Sequence, residues 1–153
     1  MTPIELKWGP NAVPFPPFTG APCIEIQFTF TPPALAPDGT KRMVDLQTVW
    51  ALVDTGAERS CIDETLIPTG VPSIESVRNI GAAGSAICHI YQVALFFPIP
   101  SFLLECGVVT MPHNPELPHR MILGRQTLQF FEFSYNGVQG MSGLRKIDNS
   151  DAR

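Results

Sequence analysis

Apolar and polar residues alternate along several short segments of the chain, a period typical of β-strands with one buried face. Residues 23–30 alternate in this way, and residues 131–135 do so again farther along the chain. Residues 44–53 end in a continuous apolar run, which predicts a strand buried on both faces. Further strands are expected at residues 102–109 and at Met121–Leu123. The pattern therefore predicts an all-β fold.

Turn-forming residues separate these predicted strands. A glycine turn begins at Asp54, directly after an apolar strand, and Cys61-Ile62 resumes an extended path. Residues 76–97 are expected to form a hairpin whose tip is Ile80-Gly81-Ala82-Ala83-Gly84. Asn136-Gly137 predicts a two-residue hairpin turn. Residues 125–130 suit one or two helical turns, so a single short helix is expected near the C-terminal end.

Length and composition favour one domain with one hydrophobic core. The chain has 153 residues, of which 44% are hydrophobic and 16% charged, and its 16 prolines and 12 glycines fit the many turns of a β fold. We expect a proline-rich N-terminal arm at residues 1–22. The folded domain should span residues 23–143, and residues 144–153 are expected to form a polar, frayed tail.

Charge and cysteine usage exclude several classes of function. The net charge is −4, and no lysine or arginine cluster predicts a surface for nucleic acid or anionic lipid. The four cysteines lie far apart without zinc-ligand spacing, so we expect no metal and mostly buried thiols in a reducing compartment. Neither a signal peptide nor a membrane-spanning run is visible, which favours the cytoplasm. A membrane anchor outside this sequence stays open as an alternative.

The turn at Asp54 carries the candidate chemistry. Burial of a carboxylate raises its pKa unless neighbours hydrogen-bond the charged form, which the Gly56 N–H and the Thr55 hydroxyl are able to do. Two such turns that face each other would bring two carboxylates together, and the pair would share one proton. One carboxylate could then act as a base on water and the other as an acid. The chain contains no second Asp-Thr-Gly, so a second copy would have to supply it.

Three segments resemble a known family, the retropepsins or retroviral-type aspartic proteases. The run Ala-Leu-Val-Asp-Thr-Gly-Ala-Glu-Arg-Ser-Cys-Ile at residues 51–62 resembles their active-site segment. Met121-Ile122-Leu123-Gly124-Arg125, followed by the expected helix, is similar to their apolar-apolar-Gly-Arg segment. The hairpin tip at residues 80–84 resembles the glycine-rich flap that closes over bound peptide. The three motifs occur in the family's order.

The resemblance implies a fold, an activity and a partner. It implies a closed or partly open acid-protease barrel with one short C-terminal helix, acting as a homodimer. The implied activity is hydrolysis of a peptide or protein substrate by water activated between two Asp54 carboxylates, with no cofactor. Thr55 would interlock the two turns of the dimer, and Gly56 would present its backbone to the substrate. The chain termini, which interleave at the dimer interface of retroviral enzymes, are longer here, so the hairpin after Phe131 is a candidate for a different interface.

The same resemblance assigns roles to residues beside the turn. Ala57 stands where pepsin-like enzymes often carry a hydroxyl residue, which implies a less acidic working range. Glu58 and Arg125 match an acid and an arginine that pair in the family, so a partly buried ion pair is expected between them.

Other interpretations remain open at this point. Asp54-Thr55-Gly56 is also common in an ordinary aspartate-capped turn, and the segment at residues 80–84 is also typical of a flexible loop. The fold could instead serve a catalytically inactive module that binds peptides or assembles partners. Cys61 is expected to be a packed thiol rather than a nucleophile, because no histidine is placed to activate it. His89, His113 and His119 are expected on surfaces or loops.

Overall fold

The computed structural model describes residues 4–5, 7–8, 22–81, 84–98, 101–136 and 141–147. A single α-helix lies within these ranges, α1 (Arg125–Leu128), together with a 3-10 turn at Glu64–Leu66. The remaining elements are strands. In chain order they are β1 (Ile4–Glu5), β2 (Lys7–Trp8), β3 (Pro22–Thr29), β4 (Ala34–Leu35), β5 (Lys41–Arg42), β6 (Gln47–Val53), β7 (Cys61–Asp63), β8 (Glu75–Gly81), β9 (Gly84–Phe97), β10 (Phe102–Met111), β11 (Met121–Leu123), β12 (Phe131–Asn136) and β13 (Met141–Lys146).

Six strands close into a barrel. They follow one another in the order β3-β6-β11-β7-β10-β9, and pairing of β3 with β9, for example Phe28 opposite Leu95, joins the two ends. Closure joins the two ends of this six-stranded order, while β2 and β8 extend the sheet beyond it. The all-β class, the barrel and the short helix near the C-terminal end are confirmed.

Alternating side chains of the barrel strands build the core. Ile24, Ile26 and Phe28 of β3 are buried, while Glu25 between them is exposed. The same period holds in β6, where Val49, Ala51 and Val53 are buried. The strand was expected to be buried on both faces, and that prediction is wrong, because Trp50 and Leu52 on its other face stay partly exposed.

Strand β11 lies between β6 and β7, the two strands that flank the turn at Asp54. It runs parallel to β6, with Leu123 opposite Val53, and antiparallel to β7, with Met121 opposite Ile62. Parallel neighbours need a long connection, and here about seventy residues, including the β8–β9 hairpin and β10, supply it. Because β11 pairs with both β6 and β7, it holds the two ends of the turn in place.

The predicted hairpin over residues 76–97 is confirmed in its strands. Antiparallel pairing of β8 and β9 continues to Gly81 opposite Gly84. Gly84 has φ +116°, a conformation that favours glycine over residues with a Cβ. Ala82 and Ala83, the centre of the expected flap tip, lie outside the described residues.

A second sheet, in the order β1-β13-β12, corrects two expectations. Asn136 pairs with Met141, a register that does not fit the two-residue turn predicted at Asn136-Gly137, so that prediction is wrong; residues 137–140 lie outside the described residues. Leu144, expected to begin a frayed tail, lies in β13 and is fully buried. Its position opposite Phe133 in the ladder explains the burial, because it completes the apolar face of this sheet. Most of the expected N-terminal arm, residues 9–21, lies outside the described residues.

The four cysteines are present as thiols, as expected, with Cys23 and Cys106 buried and Cys61 and Cys88 partly exposed. Within the described ranges, no helix combines the length and the apolar character needed to cross a membrane.

Candidate active site

The turn after β6 holds Asp54 by its own backbone. The Gly56 N–H donates to Asp54 Oδ1 at 2.8 Å, and the Ala57 N–H donates to the Asp54 carbonyl at 3.3 Å. The Asp54 N–H donates to the Leu123 carbonyl of β11 at 3.1 Å. The carboxylate is partly buried, and a Cβ on Gly56 would lie only 3.1 Å from its Oδ1. A small residue at position 56 therefore lets the carboxylate accept the backbone N–H at close range.

Thr55 is exposed at the outer side of this turn. Its carbonyl accepts a hydrogen bond from Arg125 Nη1 at 3.2 Å. Its hydroxyl makes no hydrogen bond to the described part of the chain. The role expected for Thr55, an interlock between two facing turns, stays a prediction.

The loop that follows, residues 57–59, is clamped by the start of α1. The Arg125 N–H donates to the Ala57 carbonyl at 2.9 Å, and the Gln126 N–H donates to the Glu58 carbonyl at 3.0 Å. These bonds require the two backbones to touch at Gly124, where a Cβ would lie 2.5 Å from the Arg59 carbonyl oxygen. The two motifs that are far apart in sequence, at residues 54–57 and 121–125, therefore form one unit.

Two buried hydroxyls beneath the loop were not singled out by the sequence. Ser60 Oγ and Thr127 Oγ1 lie 2.7 Å apart, and Ser60 Oγ also accepts the Gly124 N–H at 3.1 Å. Both side chains are fully buried, so the hydrogen bonds compensate the loss of solvation. Ser60 lies in the family-like run at residues 51–62 without a role of its own there, and nothing in its spacing identified Thr127 as its partner.

The ion pair expected between Glu58 and Arg125 is not formed in the chain. No oxygen of Glu58 lies within 4.0 Å of a nitrogen of Arg125, although both residues are described. Both side chains are exposed, so water solvates their charges, and Arg125 instead donates to the Thr55 carbonyl. The loop is oriented by backbone hydrogen bonds rather than by a salt bridge.

A buried carboxylate at the end of β7 was also missed by sequence analysis. Asp63 accepts hydrogen bonds from Thr65 Oγ1 at 2.7 Å, from His113 Nδ1 at 2.5 Å and from Arg120 Nε at 3.0 Å. Burial acts to raise the pKa of Asp63, but these hydrogen bonds outweigh it and hold the pKa well below its usual range. The cluster joins β7 to the 112–120 loop and leaves its carboxylate fully engaged.

The three histidines and Cys61 are less suited to catalysis than the Asp54 turn. His119 lies in a loop, one of the two expected positions, but it is buried there, and its Nδ1 is unpartnered among the described residues. His113 binds Asp63, and His89 lies within hydrogen-bonding distance of Ser76. Burial, with smaller contributions from Cys88 and Asp54, raises the pKa of Cys61 to about 11, which suits a packed thiol and not a nucleophile.

The hairpin predicted as a flap is described up to its tip. Ile80, near the end of β8, is 78% exposed, and Ile87 of β9 is 73% exposed. Arg78 lies opposite Ile87, and Ile80 lies opposite Ser85, so both isoleucines are on the same face of the hairpin. In the described part of the chain, no three potential ligand side chains are grouped to hold a metal ion.

Comparison with known proteins gives the family context of this site. Residues 24–135 match the sequence model of the family described as retroviral aspartyl protease, a match that includes the Asp54 turn, the hairpin and the Gly124-Arg125 segment. No curated protein sequence matches the chain. Among solved structures, the chain is similar to a retropepsin-like aspartic protease from Rickettsia conorii, with 13% sequence identity and a TM-score of 0.44. That similarity covers 80% of this chain and 90% of the other.

Proposed function

The chain belongs to the retroviral aspartyl protease family, and on this premise we propose that it is an aspartic endopeptidase whose active site is completed by a second copy of the chain. The observation that carries the proposal is the Asp54 turn itself. Its carboxylate accepts the Gly56 N–H, and its loop is clamped by Gly124 and the start of α1. A clamped, partly buried aspartate is the kind of group that a two-carboxylate site requires.

The proposed reaction uses one Asp54 from each subunit. Two carboxylates in contact share a single proton, because like charges at that distance do not both ionise readily. The ionised carboxylate removes a proton from a water molecule as that water attacks the peptide carbonyl carbon. The protonated carboxyl donates its proton to the carbonyl oxygen. Protonation of the amide nitrogen then allows the C–N bond to break, which releases an acid and an amine.

Three neighbouring groups are proposed to support this reaction. The exposed Thr55 hydroxyl would bond to the facing turn of the partner. Ala57 offers no hydroxyl to the carboxylate, so we expect a working pH less acidic than that of pepsin-like enzymes. The β8–β9 hairpin would close over an extended peptide and pair with its backbone, as sheet edges do in other peptide complexes.

Replacement of Asp54 by Asn tests the proposal. We expect wild-type protein to cleave a denatured-protein substrate at acidic to near-neutral pH. Cleavage should be blocked by a statine-type inhibitor and should persist in the presence of a chelator. Asp54→Asn should abolish cleavage while the circular dichroism spectrum and the sedimentation coefficient stay unchanged.

Asp45→Asn provides the matched control. Asp45 is exposed, lies away from the turn and has φ 54°, a conformation that Asn also tolerates. This variant should keep full activity. Cleavage by Asp54→Asn at the wild-type rate would contradict the proposal that Asp54 is the catalytic residue. Peptide binding without cleavage by the wild type would instead support the inactive binding module.

A further inference from the structure

A shallow groove beside the Asp54 turn carries charged side chains that the proposed reaction does not use. It is lined by Glu58, Arg59, Arg125, Gln126 and Gln129. The groove touches the turn directly, because Arg125 on its wall donates to the Thr55 carbonyl at 3.2 Å. A peptide whose scissile bond lies at Asp54 would therefore have this groove close to one of its ends.

The groove is positively charged although the whole chain has a net charge of −4. Two guanidinium groups face it, against the single carboxylate of Glu58. None of the ion pairs within the described ranges involves Glu58, Arg59 or Arg125. The Arg59 side chain is exposed and makes no hydrogen bond to the described residues, so its five donors remain available.

Gln126, which also lines the groove, has a buried polar atom without a partner. The Oε1 atom of Gln126 is buried and accepts no hydrogen bond from the described part of the chain. A buried acceptor without a donor costs free energy, but this atom has almost no solvent-accessible surface and does not contact a ligand in the groove. What the groove offers to a ligand is therefore its guanidinium donors, which suit a carboxylate.

We propose that this groove binds an acidic side chain of an extended peptide, so that the protease prefers substrates with Glu or Asp near the scissile bond. The inference rests on the proposed function and names its substrate class. Arginine is suited to this role because its planar fork binds both oxygens of a carboxylate. In a symmetric dimer the groove occurs twice, once toward each end of the peptide.

The test measures, for each enzyme variant, the ratio of kcat/KM for a Glu-containing peptide to kcat/KM for the matching Gln-containing peptide. Paired peptides that differ only by Glu or Gln are scanned through the positions on either side of the cleaved bond, and kcat/KM is measured for both members. Because the groove is open to solvent, we expect wild type to prefer Glu by about two- to tenfold at its best position. The preference should shrink as NaCl is raised to about 0.5 M, where charges are strongly screened.

Charge reversal at Arg59 provides the decisive variant. Arg59→Glu should remove the preference for Glu and create one for Lys at the same position. Arg42→Glu is the matched control, since Arg42 is an exposed arginine on β5 that does not line the groove. Its Glu-to-Gln ratio should equal that of wild type.

The outcomes separate this inference from the proposed function. A wild-type ratio near one at every position, or a preference that survives Arg59→Glu, would overturn the groove assignment while leaving cleavage intact. If no peptide is cleaved, the proposed function fails. In that case, fluorescence anisotropy of the labelled Glu and Gln peptides with wild type and with Arg59→Glu measures binding without cleavage. Independently of the proposed function, it therefore tests the groove proposal. Equal affinities for the two peptides on wild type would overturn it.

Discussion

Gly124 is the point at which the catalytic turn and the C-terminal motif touch, and its replacement by alanine should damage both stability and activity. An added Cβ would lie 2.5 Å from the carbonyl oxygen of Arg59, 2.6 Å from its carbonyl carbon and 3.0 Å from the Ala57 carbonyl oxygen. All three obstacles are backbone atoms, so no side-chain rotation relieves the clash. The loop and α1 must therefore separate.

The cost follows from what this separation breaks. Insertion of a methyl group into a packed site costs about 1–3 kcal/mol. The separation also weakens the Arg125–Ala57 and Gln126–Glu58 backbone hydrogen bonds, which contribute about 0.5–1.5 kcal/mol each. We therefore expect Gly124→Ala to lower the free energy of unfolding by about 2–6 kcal/mol. Urea denaturation followed by tryptophan fluorescence measures this change.

Activity per folded molecule should fall as well, because the displaced loop carries the Asp54 turn. A misplacement of about 1 Å at a reacting group lowers the rate roughly a hundredfold. Gly107→Ala is the comparison variant, since its Cβ would meet only the Cγ2 methyl of Ile90 at 2.8 Å and the Cδ1 methyl of Ile74 at 3.7 Å. It should lose stability but keep activity per folded molecule. If Gly124→Ala kept the stability and the kcat of wild type, the conclusion that the loop and the start of α1 are held together at Gly124 would be refuted.

Three further predictions concern buried polar groups. Ser60→Ala should lower the free energy of unfolding by about 1–3 kcal/mol, measured by urea denaturation, because Thr127 loses its buried partner. Asp63 has a lowered pKa, so its stabilisation is complete above about pH 4 and is lost as the pH falls below that. Asp63→Asn should lose this acid dependence in urea titrations at successive pH values. Burial lowers the pKa of His119, so the free energy of unfolding should decline as the pH falls below about 6.5. The same titrations should show no such decline in His119→Gln, whereas the control His89→Gln should keep it.

The strands were largely predictable because the barrel has one core. The alternation over residues 23–30 and the apolar triplet Met121–Leu123 identify β3 and β11, since each side chain must choose between core and solvent. Leu144 was missed because polar residues surround it, and the sheet that buries it forms only by pairing with β12. The alternation does not specify strand order, so the insertion of β11 between β6 and β7 was not predicted.

In the candidate site, local features were predicted and long-range partners were not. The turn from Asp54 to Ala57 and the short helix at Arg125 are encoded by adjacent residues. The hydrogen bonds from His113 and Arg120 to Asp63 join residues 50 and 57 positions apart, with no periodicity to reveal them. The expected Glu58–Arg125 pair failed for a related reason. Sequence placed the two residues near each other but did not show that both would be exposed to solvent.

Subunit mixing tests most directly whether Asp54 from two copies forms one site. Wild type and Asp54→Asn are unfolded together in equal amounts, refolded at constant total concentration and assayed for peptide cleavage. Random pairing into symmetric dimers leaves about a quarter of the dimers with two aspartates, so activity should fall to about a quarter of that of wild type alone. Activity of about one half, as expected if each chain worked independently, would contradict the shared site.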